Sequence, residues 1–543
     1  MSTSPVQPVH VAAAEQPLSR RRHWNNQVRR HASMTPDRPA LRYLGRTVTW
    51  KELHQRASAL AQTLYLRGVR HGDRVLITML NRPEYLEALL AITATGAIAV
   101  PVNIRMSPAE AVFIATDVGA KAVITDQLMS ELAATVATET SGIEFVIGTG
   151  GARQGQIDYE RVIGDAVGDL PEIDVPDESV AMILYTSGTT GRPKGAMITH
   201  ANLNAISMAF MDSLSYRRGD VVSVAVPLFH IGGIASVLPQ LYFGGTSVIH
   251  PLGEFDADRT LETFQNERTT WVFLVPAQWQ TLTEAQLERP RELALRILCW
   301  GAAPASDALL RSMMTAFPDA ETVAVFGQTE STGFACYLDG EHSLSKLGSV
   351  GIPTSSVEVK IVDDQMNEVA TGEVGEIVFR GPTVMAGYWQ RSNASEEVFA
   401  GGWLHSGDLG RQDEDGFVYI VDRKKDMIIS GGENVYCAEV ENAIMDHPAV
   451  AEIAVIGRSD ERWGEVAVAV AVLEDGMQLG IDDLVNFLRP RLARYKHPKD
   501  LVVVDQMPRN ASNKIRKNVL RESYGRTGFR PEPHPRVTTG SLL

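Results

Sequence analysis

The sequence predicts an α/β fold: a large N-terminal domain of parallel sheets flanked by helices, with a small β unit, followed by a small, mobile α+β C-terminal domain. Between about residues 50 and 350, short apolar segments rich in β-branched and aromatic residues alternate with amphipathic helical segments. That alternation is typical of parallel sheets covered on both faces. From about residue 355, strands follow one another across short turns, which indicates a separate β unit.

The strands of the large domain are predicted where short apolar segments are bounded by turn residues. They are 74–79, 120–125, 182–185, 221–226, 246–250, 270–275, 296–300 and 322–326. Apolar residues at helical spacing predict helices at 83–93, 201–213 and 231–243. The small β unit comprises strands 357–362 and 375–379, because turn residues and no long helix separate them.

The last part of the chain predicts a compact α+β domain. Its helices are expected at 438–445 and 481–492, and its strands at 451–457, 466–473 and 501–504. A charged stretch precedes them, so we place the domain boundary at about Asp422, giving domains 1–421 and 422–543. The tail from about residue 525 is rich in Pro, Arg and Gly and is predicted to be disordered.

Composition excludes several classes of function. The chain carries 51 basic and 66 acidic residues, a net charge of −15, which argues against a nucleic-acid partner because such a protein needs a basic face. Its three cysteines, Cys299, Cys336 and Cys437, show neither metal-ligand nor disulfide spacing. We therefore expect a reducing, cytoplasmic compartment.

The N-terminus shows no secretory signal, and no apolar run approaches the roughly 18–20 residues that a membrane span needs. A basic cluster allows at most a peripheral contact with the inner face of an anionic membrane; it comprises Arg20, Arg21, Arg22, His23 and Trp24, with Arg29 and Arg30. The alternative is that these arginines are a solvated start to the first helix.

The strongest local signal is residues 186–195, between a predicted strand and a predicted helix. Glycines let backbone N–H groups turn toward phosphate oxygens, hydroxyls add donors, and a lysine adds positive charge. The spacing is not GxxxxGK[ST], so a P-loop NTPase is excluded. The candidate phosphate-binding residues are Thr186, Ser187, Gly188, Thr189, Thr190, Gly191 and Lys194.

Three further clusters offer groups that a nucleotide site needs. Phe326, Gly327, Gln328, Thr329 and Glu330 follow a predicted strand, with an aromatic ring for adenine and a carboxylate for Mg²⁺. Asp408 lies behind the turn at Gly407 and can accept both ribose hydroxyls. Lys514 lies on a polar loop near the C-terminus, where a lysine on its own is usually solvated.

In this order, the motifs resemble those of the adenylate-forming superfamily, which contains acyl-CoA synthetases, nonribosomal adenylation domains and firefly luciferase. The resemblance extends from about Trp24 to about Tyr524. Within the superfamily the chain looks like a fatty-acyl-CoA ligase of the mycobacterial type, on the segments KDMIISGGENVY at 425–436 and LARYKHP at 492–498.

The resemblance implies that the chain uses ATP, Mg²⁺ and coenzyme A. Thr186 to Lys194 would bind the β- and γ-phosphates, with Thr186 and Glu330 near Mg²⁺. Thr329 would contact the α-phosphate, and Asp408 with Arg423 would hold the ribose. The adenine slot would be formed by Gly301, Ala302, Ala303, Pro304 and Phe326, continued by Gly327 and Gln328.

The resemblance also implies a second half-reaction. Lys514 would bridge the carboxylate and the α-phosphate, and Lys425 is at the family's hinge position. Gly431, Gly432 and Glu433 would line the pantetheine path, and His230 would lie between that path and the acyl pocket. One lysine cannot occupy the first reaction centre while the tunnel loop is in place, so rotation of the small domain is implied.

Four residues depart from the family pattern. Phe326 replaces Tyr, Ser406 replaces Thr, Cys437 replaces Pro and Asn513 replaces Gly before the lysine. Asn tolerates a positive φ better than most residues, so the turn at 513 is compatible with the change.

The main functional hypothesis is a ligase that joins a medium- to long-chain fatty acid to CoA. This hypothesis rests on the apolar helix after His230, where Gly232, Gly233 and Ala235 would leave room for an acyl chain. Ordinary core packing explains the pattern equally well. The alternatives are a fatty-acyl-AMP ligase that loads a carrier protein, a ligase for another carboxylic acid, and a catalytically silent binder. A homodimer is left open.

Overall fold

The computed structural model describes residues 23–166, 173–186, 193–430, 433–460, 462–510 and 514–525, which form two compact units. The larger unit contains the described residues up to Lys360, with Val378–Ser406 and Asp415–Val418. The smaller unit contains Ile361–Ile377, Gly407–Glu414 and the described residues from Tyr419 onward. The division at Asp422 stays a prediction, and Arg20, Arg21 and Arg22 of the basic cluster and residues 526–543 lie outside the described residues.

The first half of the larger unit contains short strands and longer helices. Its helices are α1 (Trp24–Met34), α2 (Trp50–Leu66), α3 (Pro83–Ala94), α4 (Pro108–Val118), α5 (Ser130–Glu139) and α6 (Tyr159–Gly164). Its strands are β1 (Pro39–Tyr43), β2 (Arg46–Thr49), β3 (Arg74–Thr78), β4 (Ile98–Pro101), β5 (Ala122–Asp126), β6 (Phe145–Thr149) and β7 (Ile157–Asp158).

The second half of the larger unit continues the alternation. Its helices are α7 (His200–Ser213), α8 (Ile231–Phe243), α9 (Ala257–Glu267), α10 (Pro276–Glu288) and α11 (Asp307–Ala316). Its strands are β8 (Val180–Thr186), β9 (Lys194–Thr199), β10 (Val221–Val224), β11 (Thr246–Ile249), β12 (Trp271–Leu274), β13 (Ile297–Gly301), β14 (Glu321–Phe326), β15 (Cys336–Leu338) and β16 (Ser349–Pro353).

Two sheets organise these strands. One has the order β7-β6-β5-β3-β4-β8-β9, and its pairings are parallel except that β9 runs antiparallel to β8. The other contains the run β14-β13-β12-β10-β11-β1, which is parallel throughout. Strands β4 and β5 are buried at every position, as expected for strands covered by helices on both faces.

The remaining strands form the small β unit and the α+β part. Strands β17 (Glu358–Val362), β18 (Gly375–Arg380), β19 (Leu404–Gln412) and β20 (Val418–Arg423) are hydrogen-bonded in that order, with α12 (Ser392–Val398) between β18 and β19 in sequence. The α+β part contains β21 (Ile428–Ser430), β22 (Glu433–Val435), α13 (Cys437–Met445), β23 (Val450–Asp460), β24 (Gly464–Leu473), α14 (Ile481–Leu488), β25 (Asp500–Val503) and α15 (Lys517–Tyr524).

The predicted fold class is confirmed, including the change to an α+β pattern near the C-terminus. One expectation is wrong. Residues 186–195 do not connect a strand to a helix, because Lys194 begins β9, which pairs antiparallel with β8, and α7 begins only at His200. The phosphate-loop segment therefore closes a hairpin, and no helix N-terminus follows it directly.

Among the helices that the structure describes, none combines the length and the apolar character that a membrane crossing requires.

Candidate active site

The hairpin of β8 and β9 holds the two ends of the predicted phosphate loop. Thr186, the last residue of β8, is directly opposite Lys194, the first of β9. Gly195 must be a glycine here, since a Cβ would lie 2.6 Å from Cγ2 of Ile183. Ser187, Gly188, Thr189, Thr190 and Gly191 lie outside the described residues. The hairpin thus brings a hydroxyl and a lysine together.

Glu330 contacts this hairpin from a short 3₁₀ turn, Thr329–Ser331. The Thr186 hydroxyl donates to Oε1 of Glu330 at 3.5 Å, and the Tyr388 hydroxyl donates to the same oxygen at 2.9 Å. The Nζ of Lys194 lies 5.1 Å from the centre of the Tyr388 ring. One carboxylate, one ammonium and two hydroxyls therefore converge.

These groups fit a magnesium ion held with nucleotide phosphates. Mg²⁺ prefers oxygen ligands and is usually bound through one or two carboxylates plus substrate phosphates. Thr186 and Glu330 supply such oxygens, and no group of three or more His, Cys, Asp or Glu side chains that would suit a metal ion occurs among the described residues. When bound, the ion would neutralise developing phosphate charge.

The predicted adenine slot lies at the carboxyl ends of β13 and β14. Gly301 pairs with Val325, and a Cβ on Gly301 would lie 2.3 Å from the Val325 carbonyl oxygen, which explains the glycine. The next residues, Ala302, Ala303 and Pro304, are exposed, and Ala302 has a φ of 65°. Phe326, the last residue of β14, is half-buried. Ligands of α/β sheets bind at such carboxyl ends, so the predicted residues are suitably placed.

The turn after Phe326 is held tightly. A Cβ on Gly327 would lie 2.6 Å from the Gly333 carbonyl, and the backbone N–H of Gln328 donates to the Ser331 hydroxyl at 3.1 Å. Thr329 and Glu330 follow directly, so their positions are fixed by this closed turn.

His230 caps the start of α8 with an extended backbone. The preceding loop is anchored by Asn81, whose buried amide donates to the Val226 carbonyl at 2.9 Å and accepts from the Leu228 N–H at 2.8 Å. Two hydrogen bonds from one side chain fix the backbone of this loop, and with it the starting point of the His230 side chain. Asn81 therefore positions His230 through the backbone.

Of the residues expected to leave room for an acyl chain, Gly233 has a different explanation in the structure. A Cβ on Gly233 would lie 2.1 Å from the Pro227 carbonyl oxygen, so this glycine permits a close backbone approach. A Cβ on Gly232 would lie 3.5 Å from the Phe273 ring, and Ala235 is buried. Gly233 is therefore explained by backbone packing, whereas the contact at Gly232 is an ordinary one with the half-buried Phe273 ring.

Asp408 and Arg423 are adjacent in the smaller unit. Asp408 is buried, and its Oδ1 lies 2.5 Å from Nε of Arg423. Gly407, with a φ of 70°, provides the turn before Asp408, and its N–H donates to Glu376 at 3.2 Å. The two predicted ribose residues are thus brought together, with Ser406 buried beside them in sequence.

Lys514 lies in a tight turn of the smaller unit. Its N–H donates to the Asn510 side chain at 2.9 Å, its carbonyl accepts from the Asn510 N–H at 2.9 Å, and its side chain is exposed. Asn513 is outside the described residues. Helix α15 follows and is anchored because Lys517 pairs with Glu441 at 2.7 Å. The backbone of Lys514 is therefore held in place, and its side chain extends into solvent.

The residues predicted for the hinge and the tunnel also belong to the smaller unit. Lys425 is exposed, and the next residue, Asp426, is buried and pairs with Arg521 at 2.5 Å. Cys437 is fully buried, and its thiol donates to the Asp426 carbonyl at 2.9 Å, so it packs instead of reacting. Glu433 is exposed on β22, whereas Gly431 and Gly432 lie outside the described residues.

Sequence reasoning missed Tyr388, Phe273 and Asn81. Each acts on a residue far away in sequence, as Tyr388 does on Glu330, 58 positions earlier. None belongs to a local cluster of polar residues, so only the fold reveals them.

Two family matches cover most of the chain. Residues 28–389 match the AMP-binding enzyme family, and residues 439–514 match the AMP-binding enzyme C-terminal domain.

The chain is similar to named CoA ligases along nearly its full length. It is 40% identical to a feruloyl-CoA synthase of Amycolatopsis over 91% of this chain and 98% of that protein. It is 36% identical to an indoleacetate–CoA ligase of Aromatoleum aromaticum over 92% of this chain and 98% of that protein.

Solved structures show the same fold. The o-succinylbenzoate coenzyme A synthetase of Bacillus subtilis, in complex with ATP and a magnesium ion, is 34% identical with a TM-score of 0.82, over 91% of this chain and 99% of that one. The fatty acyl CoA synthetase of Mycobacterium tuberculosis is 31% identical with a TM-score of 0.74, over 93% and 98% of the two chains. The chain therefore belongs to the AMP-binding enzyme family, and it is an ATP-dependent acid–thiol ligase of the AMP-forming kind.

Proposed function

We propose that the chain activates an aromatic carboxylic acid and transfers it to CoA. The carboxylate would attack the α-phosphorus of ATP, releasing pyrophosphate and leaving an acyl-AMP, and the CoA thiol would then displace AMP. The relatives named above act on ferulate and indoleacetate, both aromatic acids. This is the alternative of another carboxylic acid, which replaces the fatty acid as the favoured substrate class.

The position of the Phe273 ring is the observation that carries this proposal. Its Cε1 would lie 3.5 Å from a Cβ on Gly232, and its Cε2 would lie 3.3 Å from a Cβ on Gly301. The ring therefore lies between the helix that follows His230 and the start of the adenine slot. It is half-buried although its neighbours Val272 and Leu274 are buried, so it borders an opening.

Further aromatic side chains lie close by. Phe334 stacks on Phe210 with ring centres 4.7 Å apart, and Phe210 meets Trp271 edge-on at 6.0 Å. Gly333, just before Phe334, would place a Cβ 3.0 Å from Ile231, which closes the region against α8. Those three rings are buried, so the half-buried Phe273 offers the ring face that suits a planar acid, because offset stacking and edge contacts are favourable.

A panel of carboxylic acids tests the substrate class. Arylpropenoic and arylacetic acids should show kcat/KM values on the order of 100-fold above those of saturated fatty acids, since contacts with an aromatic ring favour planar acids. The measurement is AMP and thioester formation with ATP, Mg²⁺ and CoA. Phe273→Ala should lower kcat/KM for the aromatic acids about 10-fold, the effect of one lost aromatic contact.

Phe145→Ala provides the control, because it removes another half-buried ring from a strand of the other sheet. This variant should leave the ranking of acids unchanged. The KM for ATP should be unchanged in both variants. A preference of the unmodified protein for saturated fatty acids over every aromatic acid would contradict the proposal.

A cleft of about 300 Å³ in the larger unit supports CoA as the acceptor. It opens where β10 and β11 end, since Ala225 and His250 line it, and Pro227 connects it to the loop of His230. Arg105 and Arg259 border it, and both are exposed. Since the chain carries a net charge of −15, an anionic nucleotide needs such local positive charge.

Acidic side chains also line the cleft, namely Glu254, Asp256 and Glu267. Glu267 is paired with Arg42 at 2.9 Å. Burial, with a smaller contribution from Arg259, lowers the pKa of His250 to about 4, so the imidazole is neutral at physiological pH. Arg105 and Arg259 are therefore the positive charges of a lining that also carries Glu254 and Asp256.

Replacing either arginine should weaken CoA binding selectively. Arg105→Ala and Arg259→Ala should each raise the KM for CoA about 10-fold, the effect of one charge-assisted hydrogen bond, and leave the KM for ATP unchanged. Arg311→Ala is the control, since Arg311 is an exposed arginine on α11. An unchanged KM for CoA in both cleft variants would remove the cleft from the proposal.

A further inference from the structure

Tyr388 lies where the groups of the phosphate site meet. Its hydroxyl donates to Oε1 of Glu330 at 2.9 Å, and its ring centre lies 5.1 Å from Nζ of Lys194. The Thr186 hydroxyl donates to the same carboxylate oxygen at 3.5 Å. One side chain therefore touches both the carboxylate and the lysine of the site.

The backbone fixes the position of Tyr388. It pairs antiparallel with Ala196 of β9, two residues after Lys194 in the same strand. The Met197 N–H donates to the Gly387 carbonyl at 2.9 Å, and the Trp389 N–H donates to the Gly195 carbonyl at 2.8 Å. These bonds attach the tyrosine to the phosphate hairpin as a short extra strand.

A second set of contacts attaches the same segment to Glu330 and to Ser395 of α12. The Met385 N–H donates to the Glu330 carbonyl at 2.9 Å, and the Tyr388 N–H donates to the Ser395 hydroxyl at 2.9 Å. The segment therefore connects the hairpin to the turn that carries the carboxylate, and Tyr388 is the side chain that spans the two.

We propose that Tyr388 is a positioning residue with two separable actions. Its hydroxyl donates to Oε1 of Glu330 and so fixes the orientation of the carboxylate that would hold the metal ion. Its ring holds the Lys194 ammonium by a cation–π contact where it meets the nucleotide phosphates. The proposal concerns binding of ATP and Mg²⁺ and goes beyond the proposed acid substrate.

Two substitutions separate the actions. Tyr388→Phe removes only the hydroxyl, whereas Tyr388→Leu removes the hydroxyl and the ring. ATP binding is measured by calorimetry on the full chain, with excess Mg²⁺ and again with EDTA and no acid present. Tyr388→Phe should reduce the enhancement of ATP affinity by Mg²⁺ about 10-fold and leave the affinity in EDTA unchanged, because a charge-assisted hydrogen bond to the carboxylate is lost.

Tyr388→Leu should in addition weaken ATP binding in EDTA about 3- to 10-fold, because the aromatic ring that contacts the Lys194 ammonium is lost. Tyr159→Phe is the matched control, since it removes a tyrosine hydroxyl that donates to the carboxylate of Glu87 at 2.7 Å in the same unit. It should leave both affinities unchanged.

Unchanged Mg²⁺ enhancement in Tyr388→Phe would overturn the role of the hydroxyl. Equal losses with Mg²⁺ and with EDTA in that variant would also overturn it, because the hydroxyl would then act on the nucleotide. The same EDTA affinity in the Phe and Leu variants would overturn the role of the ring. Since no acid is present, these results are independent of whether the acid substrate is aromatic.

Discussion

Lys514→Ala should lower the rate of acyl-AMP formation at least about 100- to 1,000-fold, as expected when a preorganised charge at a reaction centre is removed. Carboxylate and triphosphate are both anionic, so their approach needs compensating positive charge. The turn at Asn510 and the anchored helix α15 fix the base from which Lys514 extends. The measurement is pyrophosphate release from ATP and acid without CoA.

The second half-reaction separates this role from a general loss of structure. Lys514→Ala supplied with synthetic acyl-AMP and CoA should form thioester at close to the unmodified rate, because this lysine has no part in that step. Lys499→Ala is the control for removing an exposed lysine from the same unit. Undiminished pyrophosphate release in Lys514→Ala would disprove the role that we give this lysine.

Glu330→Gln should lower adenylation about 100- to 1,000-fold at low Mg²⁺, since a carboxylate that holds the metal ion contributes several kcal/mol to the transition state. Glutamine keeps the size of the side chain and retains an oxygen that can accept from Tyr388, so the turn Thr329–Ser331 should stay intact. The measurement is the dependence of pyrophosphate release on Mg²⁺ concentration.

The midpoint of that Mg²⁺ titration should rise by at least about 10-fold in Glu330→Gln, because the charge-assisted contact to the ion is lost. Glu321→Gln is the matched control, as Glu321 begins β14, the strand before that turn, and accepts a backbone N–H from Gly340 at 3.0 Å. A Glu330→Gln titration that coincides with the unmodified protein's would exclude Glu330 as a metal ligand.

Local patterns predicted the fold well because its strands are short, apolar and bounded by turn residues. Helix 231–243 was predicted with the bounds that the structure has, and strand 322–326 differs by one residue. Residues that were given a shared role from local chemistry also lie together in the structure. Asp408, after the turn at Gly407, contacts Arg423.

The errors arose where the meaning of a residue depends on which backbone segments come together, which local spacing does not define. Gly233 suggested space for a substrate, but the Pro227 carbonyl lies against it. The loop after Thr186 suggested a strand followed by a helix, but the short apolar segment after Lys194 pairs back on β8 as a strand. Neither fact can be derived from spacing, because both are tertiary contacts.

The central claim is that the chain adenylates an aromatic acid and then transfers it to CoA. It is tested most directly by acid-dependent exchange of labelled pyrophosphate into ATP without CoA, followed by addition of CoA. Ferulate or indoleacetate should support exchange, and CoA should then convert the acyl-AMP into equal amounts of thioester and AMP. Exchange supported only by saturated fatty acids, or exchange with an aromatic acid that CoA does not convert into thioester, would contradict the claim.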